Sequence, residues 1–458
     1  MRASQLSQAL HKLRIALFAI CLWPVVWANA ETTVFVNVNV VPMDSERVLR
    51  QQSVVVVDGL ITTVASVDEV SVPKGAAIID GTDRYLMPGL AEMHAHVTST
   101  EPDQIQRLST LFVANGVTTI RGMLGRSSHL KLREQFSSGE VFGPRLITSG
   151  PSFNGRSVSG PADAARQVRE QHAAGYDFIK VHPGLTQEEF VALADTANEL
   201  GIPFAGHVPA AAGLSEALRL GMSTIDHLDG YFAALIPPTS SGSGGYGGLF
   251  DVMLAAELDA DRIVAIARAT RDAGVWNVPT QVLVEQMIDA TPAADLRNRS
   301  EMRYVSASTV NGWVEAKDAG QLEHGFDPEV AALAVDTRRR LILALHRSGA
   351  GLLLGSDAPQ SFNVPGFSLH RELEALVAAG LTPFEALSTG TVSVASFLDS
   401  NGGYVMAGKD ADLILLDANP LADIHNSERI GGVMLRGRWY SNSELNASLA
   451  ALVVQTTP

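Results

Sequence analysis

The chain has 458 residues, of which 46% are hydrophobic and 18% are charged. This balance is typical of globular proteins, and the length indicates one large domain with a smaller companion. The formal net charge of −15 argues against nucleic acids and anionic membrane surfaces as partners. The charge itself identifies no partner; together with the lid interpretation given below it favours a small-molecule substrate over a polymer, and the oligomeric state is left open, with a homo-oligomer as one option.

Residues 1–30 have the pattern of a secretory signal peptide. Three basic residues precede the apolar run "IALFAICLWPVVW", and "ANA" supplies small residues at the cleavage site, so cleavage is expected after Ala30. The alternative is a single membrane anchor, for which the apolar run is short. Cleavage would remove three basic and no acidic residues, changing the net charge from −15 to −18. It would leave no membrane segment and no cysteine, and it predicts a periplasmic or secreted protein.

Two segments of short β runs bracket the rest of the chain. Residues 31–86 alternate in the manner of antiparallel strands, with "DG" at a predicted turn, and the same texture returns over residues 402–445. Neither segment alone has enough strands to bury a face, so we expect them to pair into one small composite β-sandwich. Residues 446–458 are predicted to be a C-terminal tail.

Residues 87–401 alternate between apolar strand-like runs and helical periods. Thr186 and Glu189 form a capping-box pattern before one helix. Eight such strands predict an α/β fold, a (β/α)8 TIM-type barrel. An open doubly wound sheet is the alternative, but no G-x-G-x-x-G follows the first strand. Insertions are predicted at about 232–250 and 286–330; the second is interpreted either as a lid or as a surface excursion.

The first barrel strand carries two histidines, His94 and His96, in "PGLAEMHAHV". Residues two apart in a strand point to the same face, and active sites of barrel enzymes lie at the carboxyl ends of the strands. Four more ionisable residues end later strands: Lys180, His207, His227 and Asp357. Buried lysine and aspartate are costly unless they are paired or bind a metal. The six residues together therefore predict a metal site at the barrel mouth.

This arrangement resembles the amidohydrolase superfamily, in the imidazolonepropionase-like branch that includes metal-dependent Xaa-Pro dipeptidases. The resemblance covers nearly all of the mature chain and rests on these segments: "PGLAEMHAHV", "GVTTIRGM", "GPRLITSGP", "FIKVH", "AGHVP", "IDHLDGY", "LLLGSDAP", "HRELEALVAAGLTPFEAL" and "GKDADLILLD". Dipeptidases of the branch carry a Gly-Gly-His loop after strand three. The corresponding "SGPSFNGRSVSG" contains no histidine, which leaves the substrate open.

The resemblance implies a binuclear zinc site. His94, His96 and Asp357 would bind one ion, His207 and His227 the second, and Lys180, carboxylated by CO2, would bridge them. A mononuclear site with unmodified Lys180 is the alternative. Hydrolysis would proceed through a metal-bound hydroxide, with Asp357 as the proton shuttle. Carboxylation also makes chemical sense, since an ammonium has no lone pair to offer a cation.

Three further residues are candidates for substrate contacts. His182 lies two residues beyond Lys180 and points to the same face, although it is equally readable as an ordinary surface histidine. Tyr231 could bond a substrate carbonyl, and Arg121 could pair with a substrate carboxylate or sit in a structural ion pair.

The sequence therefore predicts a metal-dependent hydrolase of an amide-type C–N bond in a dipeptide, an N-acyl amino acid or a cyclic amide. An ester, lactone or phosphoester hydrolase on the same binuclear site is the closest alternative. The non-enzymatic alternative is a periplasmic binding protein on an inactive barrel, which the loss of a metal ligand would reveal. None of the expected ligands is missing.

Overall fold

A computed structural model describes residues 32–237, 249–323 and 326–454. The predicted signal peptide lies outside these residues, as does most of the insertion predicted at 232–250. The strands are β1 Thr32–Val40, β2 Leu49–Val57, β3 Leu60–Ser66, β4 Ala77–Asp80, β5 Tyr85–Pro88, β6 Leu90–Ala95, β7 Val117–Gly122, β8 Arg145–Thr148, β9 Ile179–Val181, β10 Phe204–Gly206, β11 Thr224–Asp226, β12 Trp276–Val278, β13 Leu413–Leu416, β14 Ile430–Leu435 and β15 Arg438–Ser441.

The α-helices alternate with the middle strands and follow them. They are α1 Pro102–Ala114, α2 Ser127–Ser138, α3 Pro161–Ala174, α4 Gln187–Leu200, α5 Gly213–Leu220, α6 Tyr231–Leu235, α7 Ile263–Asp272, α8 Gln281–Ile288, α9 Ala293–Arg297, α10 Ala307–Glu323, α11 Pro328–Ser348, α12 Phe367–Ala378, α13 Pro383–Thr389, α14 Val392–Phe397 and α15 Asn442–Ala451. Short 3-10 stretches are Leu249–Glu257, Ala260–Arg262, Ser300–Tyr304 and Ile424–Glu428. No helix within the described ranges has the length and apolar character needed to span a bilayer.

Strands from both chain ends form one eight-stranded sheet, in the order β15-β14-β13-β5-β1-β2-β3, with β4 paired to β1. The two ends meet where β13 runs antiparallel to β5. The predicted "DG" turn is present: Asp58 and Gly59, both with positive φ, connect Val57 to Leu60 in a two-residue hairpin. Apolar residues from both ends share one core, although a two-layer sandwich stays a prediction. α15 begins before the segment predicted as a tail and continues into it over residues 446–451.

The middle strands are parallel and fall into two sheets, β6-β7-β8 and β12-β11-β10-β9. Isolated parallel bridges connect them: Ser149 pairs with Phe178 between β8 and β9. On the other side, Leu352 pairs with Asn277 of β12, while the amide of Met93 in β6 donates to the Leu354 carbonyl. The eighth predicted strand thus lies between β12 and β6, but forms no continuous ladder.

A buried carboxylate explains why this eighth segment is irregular. The amide of Ser356 donates to the Glu92 side chain at 2.9 Å rather than to a neighbouring strand. Elsewhere the local signals hold. The predicted capping box is confirmed at α4, where Glu189 N donates to Thr186 Oγ1 and Thr186 N donates to the Glu189 carboxylate. These elements bring the carboxyl ends of the parallel strands together on one side of the domain.

Candidate metal centre and active site

The two histidines of the first parallel strand lie side by side, as the period-two alternation predicts. His94 belongs to β6, His96 follows it directly, and their ring centroids are 5.4 Å apart. The eighth segment brings Asp357 against both. Its Oδ1 lies 2.7 Å from His96 Nε2 and 3.6 Å from His94 Nε2. All three face one cavity.

The histidines that follow β10 and β11 complete the ring of imidazoles. The His227 centroid lies 4.7 Å from that of His94 and 4.6 Å from that of His207. His94, His227 and Asp357 each offer a ligand atom, and these atoms all lie within 4.8 Å of one another. The Nδ1 atoms of His207 and His227 each lie against an oxygen atom of the protein. His207 Nδ1 lies 2.6 Å from the Asp229 carboxylate and His227 Nδ1 lies 2.8 Å from Thr280 Oγ1. Such partners orient imidazoles toward a metal.

Lys180 at the centre of β9 is completely buried, and its Nζ makes no hydrogen bond within the described part of the chain. The nearest charged atom is Asp226 Oδ2 at 3.5 Å, which lies 3.1 Å from His94 Nδ1. All three atoms lack a hydrogen-bond partner of acceptable geometry. Gly206 makes room for the lysine, because a Cβ there would come within 2.9 Å of Nζ. An ammonium without acceptors is costly to bury.

Burial keeps His94 and His227 neutral, whereas Asp357 stays ionised. Burial holds the pKa of His94 and of His227 well below the usual range, so each ring has a lone pair for a cation. Burial also lowers the pKa of Lys180. Burial alone would raise the pKa of Asp357, but the facing His94 and His96 bring it down to about 2.

The backbone is strained at the same place. His227, Thr280 and Asp357 all have positive φ, at 60°, 46° and 63°. Residues with side chains rarely adopt this region, and they persist there where the surrounding structure enforces it, often at functional sites.

The residues present suit a divalent metal. Neutral imidazoles and a carboxylate are the donors that zinc prefers. The unpartnered Lys180 Nζ is an arrangement that modification of the lysine and a bound cation would resolve, whereas a purely structural cluster would leave it costly. The six predicted residues are therefore brought together, with Lys180 joined to the others through Asp226.

The cavity above the cluster has a volume of about 600 Å³, and His182 lines it as predicted. The His182 ring stacks on His207 with centroids 5.1 Å apart. Burial, aided by the nearby Lys180 and His207, lowers the pKa of His182 to about 3, so this ring is neutral. Apolar side chains form the opposite wall, among them Phe250, Leu283 and Met287.

The structure places the other two candidates for substrate contacts, Tyr231 and Arg121, outside the residues that line this cavity. Tyr231 is fully buried, and its hydroxyl bonds Thr270 Oγ1 at 3.0 Å and Asn277 Oδ1 at 2.8 Å. Tyr231 is the first residue of α6, four positions after His227, and its hydroxyl reaches α7 and β12 rather than the cavity. Arg121 is also buried, and it does not line the histidine-lined cavity.

Arg121 takes the structural ion pair that the sequence left open. Its guanidinium donates to the Met93 carbonyl at 2.8 Å and to Thr224 Oγ1 at 3.1 Å, and it lies 3.4 Å from Asp226 Oδ1. It lines a different cavity, which is walled by residues just before strands β9 to β12, at the opposite end of the parallel strands. A substrate in the histidine-lined cavity has no access to it.

The sequence reasoning missed the residues that hold the ligands in place. Asp226 precedes His227 and Asp229 follows it, so both were visible as acids inside the strand-end motif "IDHLD". Glu92 was visible as a charge in an apolar strand. It accepts bonds from the amides of His94 and Ser356, and burial raises its pKa to about 8. Arg338 donates to the His227 carbonyl at 2.8 Å. It gave no local signal in the sequence, since it lies on α11, 111 positions after His227.

Comparison with known proteins agrees with this geometry. The sequence pattern of the amidohydrolase family matches residues 85–440. Comparison with curated protein sequences gave no significant match. Among solved structures, a bottromycin amidohydrolase is similar, with a TM-score of 0.70 and 25% identity over 92% of this chain and 90% of the other.

Two more distant structures share the fold. A Xaa-Pro dipeptidase with bound methionine matches with a TM-score of 0.63 and 20% identity, covering 90% of this chain and 100% of the other. Ochratoxinase from A. niger matches with a TM-score of 0.64 and 18% identity, covering 90% and 96%. The matched residues include the parallel strands β6 to β12, the histidines of the site, Lys180 and Asp357. This chain belongs to the amidohydrolase family and is a hydrolase.

Proposed function

We propose that this protein is a binuclear metallohydrolase that cleaves an amide-type C–N bond in a small molecule, such as a dipeptide, an N-acyl amino acid or a cyclic amide. One observation carries the proposal: Lys180 is fully buried without a hydrogen-bond partner and is connected through Asp226 to His94, on the wall of a cavity that the ionised Asp357 also lines. The names of similar proteins, which include amide hydrolases, support the same reaction class.

The ligand set follows from the chemistry of the donors. His94, His96 and Asp357 would hold one zinc ion, and His207 and His227 would hold the second. Lys180 would bridge them as a carbamate, since CO2 addition replaces a positive charge without acceptors by two oxygen donors. When bound, such a metal pair polarises the substrate carbonyl and acidifies the attacking water.

The side chains of this chain handle the proton and the substrate. Asp357 lines the cavity; its Oδ1 lies 2.7 Å from His96 Nε2, whereas its Oδ2 lies 3.8 Å from His227 Nε2. We assign Oδ2 to accept the proton of the attacking water and to deliver it to the departing nitrogen. The neutral His182 ring stands on the cavity wall, where it can bond a polar group of the substrate. Leu283 and Met287 exclude water from the opposite side.

Two features of the whole chain belong to the same proposal. The isolated bridges on both sides of the two parallel sheets support a closed (β/α)8 barrel, with the eight-stranded sheet folded beside it as a sandwich. The basic, apolar and small-residue pattern of residues 1–30 supports export and cleavage, so the mature enzyme would work in the periplasm or outside the cell. Fusing residues 1–30 to a reporter that acts only after export tests this.

The experiment is a matched substrate screen. Zinc-loaded mature protein is assayed with dipeptides, N-acyl amino acids and cyclic amides, each beside its ester or lactone analogue, and with phosphoesters. We expect turnover of amides that a chelator removes and zinc restores. Turnover of esters, lactones or phosphoesters alone would select the alternative reaction class. Tight binding without turnover of any compound would favour a binding protein on an inactive barrel.

Asp357→Asn separates chemistry from metal binding in the same assay. An amide oxygen still ligates a cation but cannot take up the proton, so we expect bound metal with turnover reduced by about 10³-fold. Near-normal turnover would contradict the proton role. Metal content per chain, with the mass of the intact protein and its Lys180 peptide, distinguishes two ions and a carbamate from one ion and a free amine.

A further inference from the structure

A second cavity of about 520 Å³ lies directly beside the metal cavity. The two share three lining residues, Thr98, Pro359 and Gln360. Pro359 and Gln360 come just after Asp357, so the loop that carries the proposed proton acceptor also forms the partition. We call this second space the side chamber. The two cavities therefore meet at the loop that follows Asp357.

The predicted insertion at 286–330 builds the outer wall of the side chamber. Tyr304, Thr309 and Trp313 line it from the insertion, facing Leu108 and Leu111 of α1. The Trp313 ring packs against Phe362 with centroids 5.7 Å apart. The wall is thus aromatic and aliphatic at these positions, while other lining residues, Ser99 and Gln104 among them, are polar; this mixture suits an uncharged arm with an apolar end.

Hydrogen bonds hold the chamber open. The Arg107 guanidinium donates to the Tyr304 carbonyl and, at 2.9 Å, to the Leu452 carbonyl, joining α1 to the insertion and to the segment after α15. On the partition side, Gln286 Nε2 donates to the Ser361 carbonyl and to Asn363 Oδ1, both at 2.6 Å. A cavity fixed from several directions is already shaped for a ligand.

The charge of the chamber selects against cations. Arg107 is the one charged side chain among the lining residues, and no described aspartate or glutamate forms an ion pair with it. Its hydrogen bonds go to backbone carbonyls, which do not neutralise it. A positively charged group entering this space would meet like charge without a compensating acid.

We propose that the natural substrate is elongated, with an uncharged apolar arm, such as an aryl-ended chain, that occupies the side chamber while the reacting amide lies in the metal cavity. This inference rests on the proposed function for the position of the reacting bond. A dipeptide leaves the chamber empty, because the metal cavity alone exceeds about 300 Å³, the lower bound for small-ligand pockets. The insertion then sets specificity as a wall of the site.

The test compares a short arm, an aryl-ended arm and an ammonium-ended arm on one head group. N-acetylglycine, N-(6-phenylhexanoyl)glycine and N-(6-aminohexanoyl)glycine place the arm on the carbonyl side of the amide, and a mirrored series of N-acetyl amines places it on the leaving side. In one series we expect kcat/KM for the phenyl arm to exceed that of the acetyl compound at least tenfold, and the ammonium arm to give no gain. Calorimetric binding of the same compounds to metal-free protein gives a readout independent of turnover.

Two tryptophan variants on the same exposed turn of α10 provide the matched pair. Thr309 lines the chamber and its neighbour Ser308 does not, and both are exposed. Thr309→Trp should weaken binding and kcat/KM of the phenyl compound at least tenfold and leave N-acetylglycine unchanged, while Ser308→Trp should change neither.

Equal responses of the two variants, or no preference for the phenyl arm in either series, would overturn the proposal. If no compound is hydrolysed but the binding pattern in metal-free protein persists, the chamber stands and the proposed amide chemistry fails.

Discussion

Two lysines are buried in the part of the chain that the structure describes, Lys180 near the imidazoles and Lys317 in the insertion, and their surroundings differ in kind. The Lys317 ammonium donates to the Gln286 carbonyl, and it lies 3.2 Å from the Asp289 carboxylate. The Lys180 ammonium makes no hydrogen bond with any described residue. A buried ammonium that keeps its charge needs hydrogen-bond acceptors, and Lys317 has them. Lys180 lacks such acceptors, as expected for an amine that is chemically modified in the active protein.

The comparison separates structural charge from functional charge without reference to any family. Both side chains are almost inaccessible to solvent, so burial alone distinguishes nothing. What differs is whether the polar atoms are satisfied within the protein. The same distinction applies to the other buried polar groups, and substitutions test it.

Replacing Lys180 should give the largest effect. Lys180→Ala removes the bridging group, so we expect turnover to fall by at least about 10³-fold with partial loss of bound metal. Lys317→Met is the matched control. It should lower stability by about 1–3 kcal/mol through its unsatisfied acceptors and leave metal content and turnover per folded molecule unchanged. Metal analysis and steady-state kinetics distinguish the two.

Short carboxylic acids sharpen the same comparison. Added formate or acetate can occupy the space left by the Lys180 side chain and supply the missing oxygens, so we expect partial recovery of Lys180→Ala activity. No recovery would leave the bridging role unsupported. Equal metal loss in both lysine variants would break the distinction itself.

Another buried cation, Arg338 of α11, has hydrogen-bond acceptors for its guanidinium group within the protein. It donates to the carbonyls of His227 and Pro279 and to the Gln281 side chain, at 2.8, 3.0 and 2.9 Å. Burial lowers its pKa to about 10, so it remains charged. We expect Arg338→Met to destabilise the protein by about 3 kcal/mol, since two buried carbonyls lose their donor.

The control for that variant lies two residues along the same helix. Arg340 is half exposed, and its guanidinium lies as far as 4.0 Å from the Asp336 carboxylate. Such an exposed ion pair is weak, so Arg340→Met should change stability by less than about 0.5 kcal/mol. Urea unfolding of both variants gives the comparison. Similar midpoints would show that the Arg338 contacts contribute little.

The ligand cluster was predictable from sequence because strand geometry places it. Alternation puts His94 and His96 on one face, and apolar runs ending in Lys180, His207, His227 and Asp357 mark where strands stop. The supporting layer was not predictable in the same way. Arg338 reaches His227 from a helix more than a hundred positions later, and helical periodicity does not reveal which polar side chain turns inward.

The eighth strand shows the same limit in the fold. Its apolar sequence correctly placed it between its neighbours, but the ladder is interrupted where the Ser356 amide bonds Glu92. A side chain that competes for backbone donors is a tertiary effect, and no local pattern reports it. Tyr231 was misassigned for a related reason, because nearness to His227 in sequence does not fix the direction of its side chain.

Tyr231 offers a smaller test of satisfied burial. Its hydroxyl is bonded to Thr270 and Asn277, and burial raises its pKa above the usual range. Tyr231→Phe should cost about 1 kcal/mol of stability while kcat/KM stays within about twofold of the wild type. A substrate contact would instead appear as a large loss in kcat/KM at unchanged stability, and that result would reverse the correction made from the structure.

The smallest expected effect is the pH dependence that His370 of α12 contributes. Its ring bonds Ser427 Oγ and the Asn115 carbonyl, and burial lowers its pKa from the ordinary 6.5. Below pH 6.5 the unfolded chain therefore binds a proton that the folded chain refuses, so this histidine makes stability fall as the pH drops. His370→Gln should flatten that acid limb in urea unfolding between pH 7 and 5.

His425 is the opposite control: its hydrogen bond with Asp423 raises its pKa, so its small stabilisation is present below pH 6.5 and lost as pH rises. His425→Gln should slightly steepen the acid limb, and identical slopes in both variants would show that neither ring is coupled to folding.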